Sequence, residues 1–334
     1  MFKNILIIGH SNIGDICYDL VVINPLRKCF PQAKISFLTS RKAENIVHGY
    51  KGLDKVFIFD KYKKDKGLFG RLRLMSALVR EKFDLVIILK STLMYKFLGI
   101  PCVWSMRKYL GCEPSKKGIH VVDIYLEFLR FHGIDTQEAT FNFALSKEEK
   151  DFCDTFLARE GINAKDRCVG ILPAINWTLK NWPLDKWNKL AGILKSQYGI
   201  KVIAFGKIGD DLFGQMVLRE MSPEITDSYE TTLKQAMALI KRCDLFIGVD
   251  SGLLHLASCI GTKVIGLYGP TSGEYIYPYF HRYDIVVSKE KLDCMPCYPE
   301  LKPCLYKKKF WFSACMEGIS VEDVLEIVRQ RLDL

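Results

Sequence analysis

The sequence predicts an α/β protein of two domains, each a parallel sheet wrapped by helices. Three observations carry this expectation. The chain has 334 residues, more than one core usually organises, and 49% apolar content to fill packed interiors. Short apolar runs of strand length alternate with stretches of helical spacing. This rhythm restarts after Arg167, so the chain reads as two consecutive α/β halves.

In the first half, strand-like runs fall at residues 5–8, 35–38, 56–59 and 85–89, with helical stretches including 18–29 and 72–80 between them. A long helix is expected over 120–131, and residues 146–149 read as a helix cap with acids in its first turn. The link lies near 140–165, giving domains of 1–158 and 159–334. The second half offers strands at 168–172, 202–205, 245–249 and 264–267. Helices are expected at 184–197, stopped by Gly199, and at 233–240. The last helix is a candidate to pack back on the first domain. With two α/β halves, the expected site is a cleft between them.

No segment approaches the roughly eighteen consecutive apolar residues of a membrane helix, and the run at 5–8 is too short for a signal-peptide core. A cytoplasmic chain is therefore expected, whose twelve cysteines serve as thiols or metal ligands rather than disulfides. Residues 1–150 carry 25 Lys and Arg against 15 Asp and Glu, so they hold the whole net charge of +10. Its densest part comprises Lys61, Lys63, Lys64 and Lys66, then Arg71 and Arg73. Such a domain can attract nucleic acid, an anionic membrane surface or an acidic substrate. No aromatic RNA-reading pattern accompanies the charge, so nucleic acid is not an expected partner. A solvated surface explains the lysines equally well at this stage. No GxGxxG follows any strand, which removes the nicotinamide-enzyme fingerprint.

The most specific chemistry lies at residues 245–271. An apolar run leads into Asp250-Ser251-Gly252, after which Leu253, Leu254, Leu256, Ala257 and Ile260 fall on helical spacing. Asp250-Ser251-Gly252 is therefore a strand-to-helix turn. The first N–H groups of such a helix lack internal partners and suit a phosphate or diphosphate, while Gly252 lets a ligand approach the backbone. Residues 261–271 add a second apolar strand ending in Gly269-Pro270, completing a βαβ unit whose ligands bind beyond the strands' carboxyl ends. A purely structural reading is also open: Asp250 or Ser251 caps the helix, and His255 is a satisfied histidine.

The stretches D-S-G-L-L-H-L-A-S and G-T-K-V-I-G-L-Y-G-P-T resemble the signature of glycosyltransferase family 9, the bacterial lipopolysaccharide heptosyltransferases of GT-B architecture. Residues 5–15, ending in Gly14-Asp15, resemble the family's first strand and Gly-Asp turn. Residues 173–187, with Trp177, Lys180, Trp182 and Pro183, resemble its interior lysine segment. Phe205-Gly206 followed by Asp210-Asp211 resembles its acidic nucleoside loop. The likeness runs from residue 5 to about residue 320.

This resemblance implies an inverting transfer of a heptose or related sugar from a nucleotide-diphosphate donor, ADP-heptose by family habit, to an anionic lipopolysaccharide-core acceptor. It implies Asp15 as the base and Lys180 as the cation facing the diphosphate. Ser251, Gly252, Leu253 and His255 would also serve the diphosphate, and Asp250 would orient the turn or meet the donor sugar. Asp210, or its neighbour Asp211, is matched to the ribose and Thr231 to the base. Ser11, Asn12, Lys61, Lys63 and Lys64 are assigned to the acceptor. Trp182 and Trp187 are expected to pack the loop and helix rather than touch sugar. No cofactor is expected for transfer, and the enzyme would make transient contact with the inner face of the cytoplasmic membrane. Two other readings stand beside it: a nucleotide-sugar epimerase on the same fold, and a non-catalytic nucleotide-sugar binder.

Cys294-x-x-Cys297, with Cys304 and Cys315 following, could form a tetrahedral structural zinc site. Reduced thiols packing a loop are the alternative.

Overall fold

The computed structural model describes residues 2–334 except 113–117, 208–211, 275, 291, 299–303, 305–306 and 309–311. The chain divides into two compact units, Met1–Ala144 and Leu145–Leu334.

The first unit is built on β1 (Asn4–Ile8), β2 (Lys34–Ser40), β3 (Lys55–Phe59), β4 (Leu85–Ile88) and β5 (Cys102–Ser105), all parallel in the order β3-β2-β1-β4-β5. Helices α1 (Ile13–Asp19), α2 (Ile23–Cys29), α3 (Glu44–Val47), α4 (Gly67–Arg80), α5 (Met106–Cys112) and α6 (Val121–Phe131) accompany it. Ile5 to Ile8 and Leu85 to Ile88 are buried on both faces, which is why these strands are continuously apolar instead of alternating. The single helix expected over 18–29 is instead α1, a 3₁₀ turn at Leu20–Val22, and α2. Helix α4 begins at Gly67, earlier than its apolar spacing indicates, and Leu74 and Leu78 supply its buried side.

The second unit carries β6 (Cys168–Leu172), β7 (Lys201–Ala204), β8 (Ile225–Asp227), β9 (Leu245–Val249), β10 (Val264–Tyr268) and β11 (Ile285–Val287) in the parallel order β11-β10-β9-β6-β7-β8. Its helices are α7 (Lys147–Arg159), α8 (Leu184–Tyr198), α9 (Leu212–Glu220), α10 (Leu233–Arg242), α11 (Gly252–Cys259), α12 (Ala314–Glu317) and α13 (Val321–Leu332), and a short antiparallel pair, β12 (Lys307–Lys308) and β13 (Phe312–Ser313), precedes α12. Gly199 ends α8 in the left-handed conformation at φ 65°, as expected of a helix stop.

One boundary expectation changes. Helix α7, placed in the first domain by a split at 158/159, belongs to the second unit, which starts at Leu145. Its buried face of Cys153, Phe156 and Leu157 joins a core containing Leu239 and Ile240 of α10. Helix α13 lays Val321, Val324, Leu325, Val328 and Leu332 into the core beneath β9 and β10.

One packing detail positions the site. Gly248 of β9 pairs with Gly266 of β10, and Leu254 of α11 lies over both. A methyl built on Gly248 would stand 3.6 Å from a Leu254 carbon, and one on Gly266 would stand 3.3 Å from another.

Candidate active site

Strand β9 is fully buried and ends at Val249, so the next residues emerge at the carboxyl edge of the parallel sheet. Ser251 is the N-cap of α11, its hydroxyl accepting from the Leu254 N–H at 3.4 Å. The N–H groups of Gly252 and Leu253 make no hydrogen bond among the described residues. They form the positive end of the helix and are available to an anion.

Asp250 is buried beneath this turn, yet its carboxylate is fully engaged. One oxygen pairs with the Lys180 ammonium at 2.5 Å, and the other meets His255 Nε2 at 3.0 Å. Lys180 also donates to the Asp250 carbonyl at 3.2 Å and lies over the Trp177 ring, 4.7 Å from its centre. Burial pushes the Asp250 carboxyl up, but the hydrogen bond and charge of His255, with the Lys180 ammonium, outweigh it and hold it well below the usual carboxylate range. Asp250 thus fixes a lysine from one loop against a helix N-terminus from another, 70 residues away in sequence.

The loop carrying Lys180 is itself braced. Asn181 is buried and bonds the backbone of Ile175 through both ends of its amide. Trp182 donates to the Ile319 carbonyl at 3.0 Å and meets Trp187 edge to face at 4.9 Å. Both indoles are core residues, as the sequence leads one to expect. Thr231, beyond β8, turns inward, its hydroxyl donating to the Ser228 carbonyl at 2.7 Å. Asp210 and Asp211 lie outside the described residues.

In the first unit, Asp15 is exposed in the first turn of α1 at the carboxyl edge of β1. One of its oxygens accepts from the Asn12 amide at 3.1 Å, and no other hydrogen bond reaches its side chain among the described residues. Asn12 is the N-cap residue of α1 but makes no side-chain cap. Ser11 is held by the Ser40 hydroxyl, which donates to its carbonyl at 2.7 Å. Lys61, Lys63 and Lys64 are all exposed on a loop closed by Asp65, which is buried and paired to Arg73 at 2.9 Å.

Cys294, Cys297, Cys304 and Cys315 line one cavity of about 20 Å³, together with Trp177, Leu179 and Pro270. Burial and the neighbouring thiols push Cys297 up to about 11. Among the described residues, no group of three or more His, Cys, Asp or Glu is drawn together as a metal would hold it.

Two features escaped the sequence reading. The His10–Asp19 pair in the first unit is made at 2.9 Å, and Lys90 reaches Ser11 Oγ at 3.3 Å. Nothing in either local pattern signals these contacts. Among the described residues, no helix is long and apolar enough to cross a membrane.

Comparison with known proteins bears on the fold and the family. The lipopolysaccharide core heptosyltransferase OpsX of Haemophilus influenzae is 24% identical over 303 residues, which cover 86% of this chain and 84% of that protein. The glycosyl transferase family 9 structure from Veillonella parvula superposes with a TM-score of 0.84 at 20% identity, covering 99% of this chain and 97% of that one. The E. coli ADP-heptose lps heptosyltransferase II gives a TM-score of 0.74 at 21% identity, covering 99% and 98%. The sequence model of glycosyltransferase family 9 (heptosyltransferase) matches residues 71–308. Two parallel Rossmann-like sheets of GT-B type and a family match over most of the sequence lead to one conclusion: the chain belongs to glycosyltransferase family 9 and is a glycosyltransferase.

Proposed function

We propose that this enzyme transfers a heptose, with inversion, from ADP-heptose to an anionic lipopolysaccharide-core acceptor. The observation that carries the reading is the Lys180–Asp250–His255 cluster set against the open N–H groups of α11. A diphosphate is the ligand such a cation and helix end suit best. The nucleotide and sugar rest on the relatives, among which the E. coli structure is described as an ADP-heptose enzyme.

In the reaction, an acceptor hydroxyl attacks the anomeric carbon as the bond from that carbon to the β-phosphate oxygen breaks. The hydroxyl proton passes to Asp15, whose unengaged oxygen faces solvent, and ADP leaves with the bonding electron pair. Charge accumulating on the departing phosphate is met by Gly252 N–H, Leu253 N–H and Lys180, donors held in place before reaction begins. Ser251 keeps the helix end ordered, and His255 keeps Asp250 aimed at Lys180. Asp210 and Thr231 are assigned to the nucleoside. Ser11, Asn12, Lys61, Lys63 and Lys64 are assigned to the acceptor, on the basic unit suited to an anionic partner at the inner face of the cytoplasmic membrane.

Transfer itself needs no metal in this scheme. For the tail, we infer a structural zinc held by Cys294, Cys297, Cys304 and Cys315, supported by the four cysteines lining one cavity. Their donor chemistry fits zinc, and bound metal would tie the tail to the segment that carries Lys180.

The test of the main reading is a thermal-shift series with ADP, UDP, GDP and CMP, followed by transfer assays. ADP should stabilise the protein most, since a ligand that binds only the folded state raises its melting temperature. Asp15→Asn should then lower transfer by on the order of 10²-fold to 10⁴-fold with ADP binding retained. Turnover near wild type in that variant would remove Asp15 from the mechanism.

A further inference from the structure

We propose that His10, Ser11 and Lys90 form an oxyanion subsite in the first unit, which takes a phosphate or carboxylate carried by the acceptor close to its reacting hydroxyl. The inference rests on the transfer reading above for its ligand, and on the first unit alone for its geometry.

Register brings the three groups together. Ile8 of β1 pairs with Ile88 of β4, and the Leu89 N–H extends the ladder to the Ile8 carbonyl. His10 and Lys90 each lie two residues past that pair, so they leave the carboxyl edge of the sheet side by side. Their backbone is fastened: Thr39 donates to the His10 carbonyl at 2.9 Å and Ser40 to the Ser11 carbonyl at 2.7 Å. Lys90 Nζ lies 3.3 Å from the Ser11 hydroxyl.

The imidazole is oriented from behind. Asp19 is fully buried and receives the His10 N–H at 2.6 Å, His10 Nδ1 at 2.9 Å and the Tyr125 hydroxyl at 3.1 Å. A carboxylate on Nδ1 places the ring proton there and leaves Nε2 to face outward, and the side chain is 31% exposed. Lys90 is half-buried and has no carboxylate within ion-pair distance among the described residues. Burial lowers its pKa, Asp19 raises it and Lys61 lowers it, for a net fall. A cation partly withdrawn from water without a counter-charge is costly, and an incoming anion offsets that cost.

The charged groups acting on His10 are Asp19 and Asp15 of α1 and Lys90 beyond β4, and Asp19 also accepts from the Tyr125 hydroxyl of α6. Burial lowers the His10 pKa, but the Asp19 hydrogen bond and charge, with Asp15, more than reverse this and leave it raised. The subsite therefore binds anions most strongly while His10 is protonated and loses strength as pH rises through its pKa. Asp15 is near enough to act on His10 electrostatically, which puts the bound oxyanion beside the proposed base.

The test uses the full chain labelled with ¹⁵N-histidine, with His10 among the six histidines assigned by loss of its signal in His10→Gln. Inorganic phosphate and acetate are titrated separately. The expected result is a saturable shift at His10 Nε2 in the millimolar range and a rise of about 0.5 in its pKa with bound anion. Lys90→Met should weaken that binding by about fivefold, and Asp19→Asn should lower the His10 pKa. A phosphate-selective response identifies a phosphate-bearing acceptor, and an equal acetate response a carboxylate-bearing one. His10 signals unmoved by about 50 mM of either anion, or moved equally with and without Lys90, would overturn the subsite. The readout involves no sugar transfer. Loss of the transfer reading would appear separately, as a normal anion shift in a protein that does not use ADP-heptose.

Discussion

Replacing Asp250 with Asn tests the cluster at the α11 N-terminus most directly. The substitution keeps size and hydrogen-bonding capacity but leaves Lys180 without its counter-ion, with side chains only 13% and 7% exposed in the pair. Removing one partner of a buried pair typically costs about 3–5 kcal/mol. Lys180 keeps its contact with the Trp177 ring, so the lower end, about 3 kcal/mol, is expected. For a unit of this size that corresponds to a fall in melting temperature of roughly 6–12 °C. Lys180→Met combined with Asp250→Asn should recover part of the loss, giving a coupling of about 2 kcal/mol in a double-mutant cycle. Tryptophan fluorescence is a suitable probe, since Trp177, Trp182 and Trp187 all belong to the second unit. The pH dependence has a definite sign. Asp250 has a folded pKa below its unfolded value, so its contribution is present above the ordinary carboxylate range and is lost as pH falls below it. The gap between wild type and Asp250→Asn should therefore narrow in acid. A variant melting within about 1 °C of wild type, or singles that simply add in the double, would refute the claim that Asp250 holds Lys180.

Lys180→Ala should weaken ADP binding and turnover together, measured by calorimetry and transfer rate, because it removes the charge facing the leaving group; unchanged ADP affinity counts against the placement. Metal analysis should find about one zinc per chain, lost on substitution of Cys294 or Cys297, and chelation should lower the melting temperature. A metal-free protein of full stability would return the four thiols to packing. Neutralising Lys61, Lys63 and Lys64 together should raise the acceptor KM and flatten its salt dependence while leaving the donor KM alone, since exposed charges act through a screened field. Acceptor kinetics indifferent to the triple change would make the lysines a solvated surface.

Much of this fold is legible in sequence because parallel strands buried on both faces announce themselves as unbroken apolar runs, as at Ile5 to Ile8 and Leu245 to Val249. Edge elements are less visible. Strands β5, β8 and β11 are short and only partly buried, and their apolar content is diluted accordingly. The place of α7 in the second unit is hidden for a related reason: Cys153, Phe156 and Leu157 show that the helix has a buried face, but nothing local says the face meets α10. At the site, Asp250-Ser251-Gly252 is readable because strand, turn and helix follow one another. The ion pair to Lys180 spans 70 residues, and only the folded sheet brings its halves together. His10 and Asp19 are nine residues apart, a spacing that belongs to no regular element and so carries no signal.

The glycine pair beneath α11 links the exposed turn to the interior. Gly248 and Gly266 leave a shallow trough in the sheet, and Leu254 settles into it. The depth of that trough sets how low the helix rides, and hence the height of the Gly252 and Leu253 N–H groups above the sheet edge. A methyl on Gly266 would meet the Tyr268 ring at 2.6 Å and Leu254 at 3.3 Å, whereas one on Gly248 would meet Leu254 at ordinary contact distance, so the tight seat of the helix is set at Gly266 with no polar group involved. The seating of the Gly252 and Leu253 N–H groups thus depends on a side chain absent from the core, at a position that inspection of the exposed turn alone would not single out.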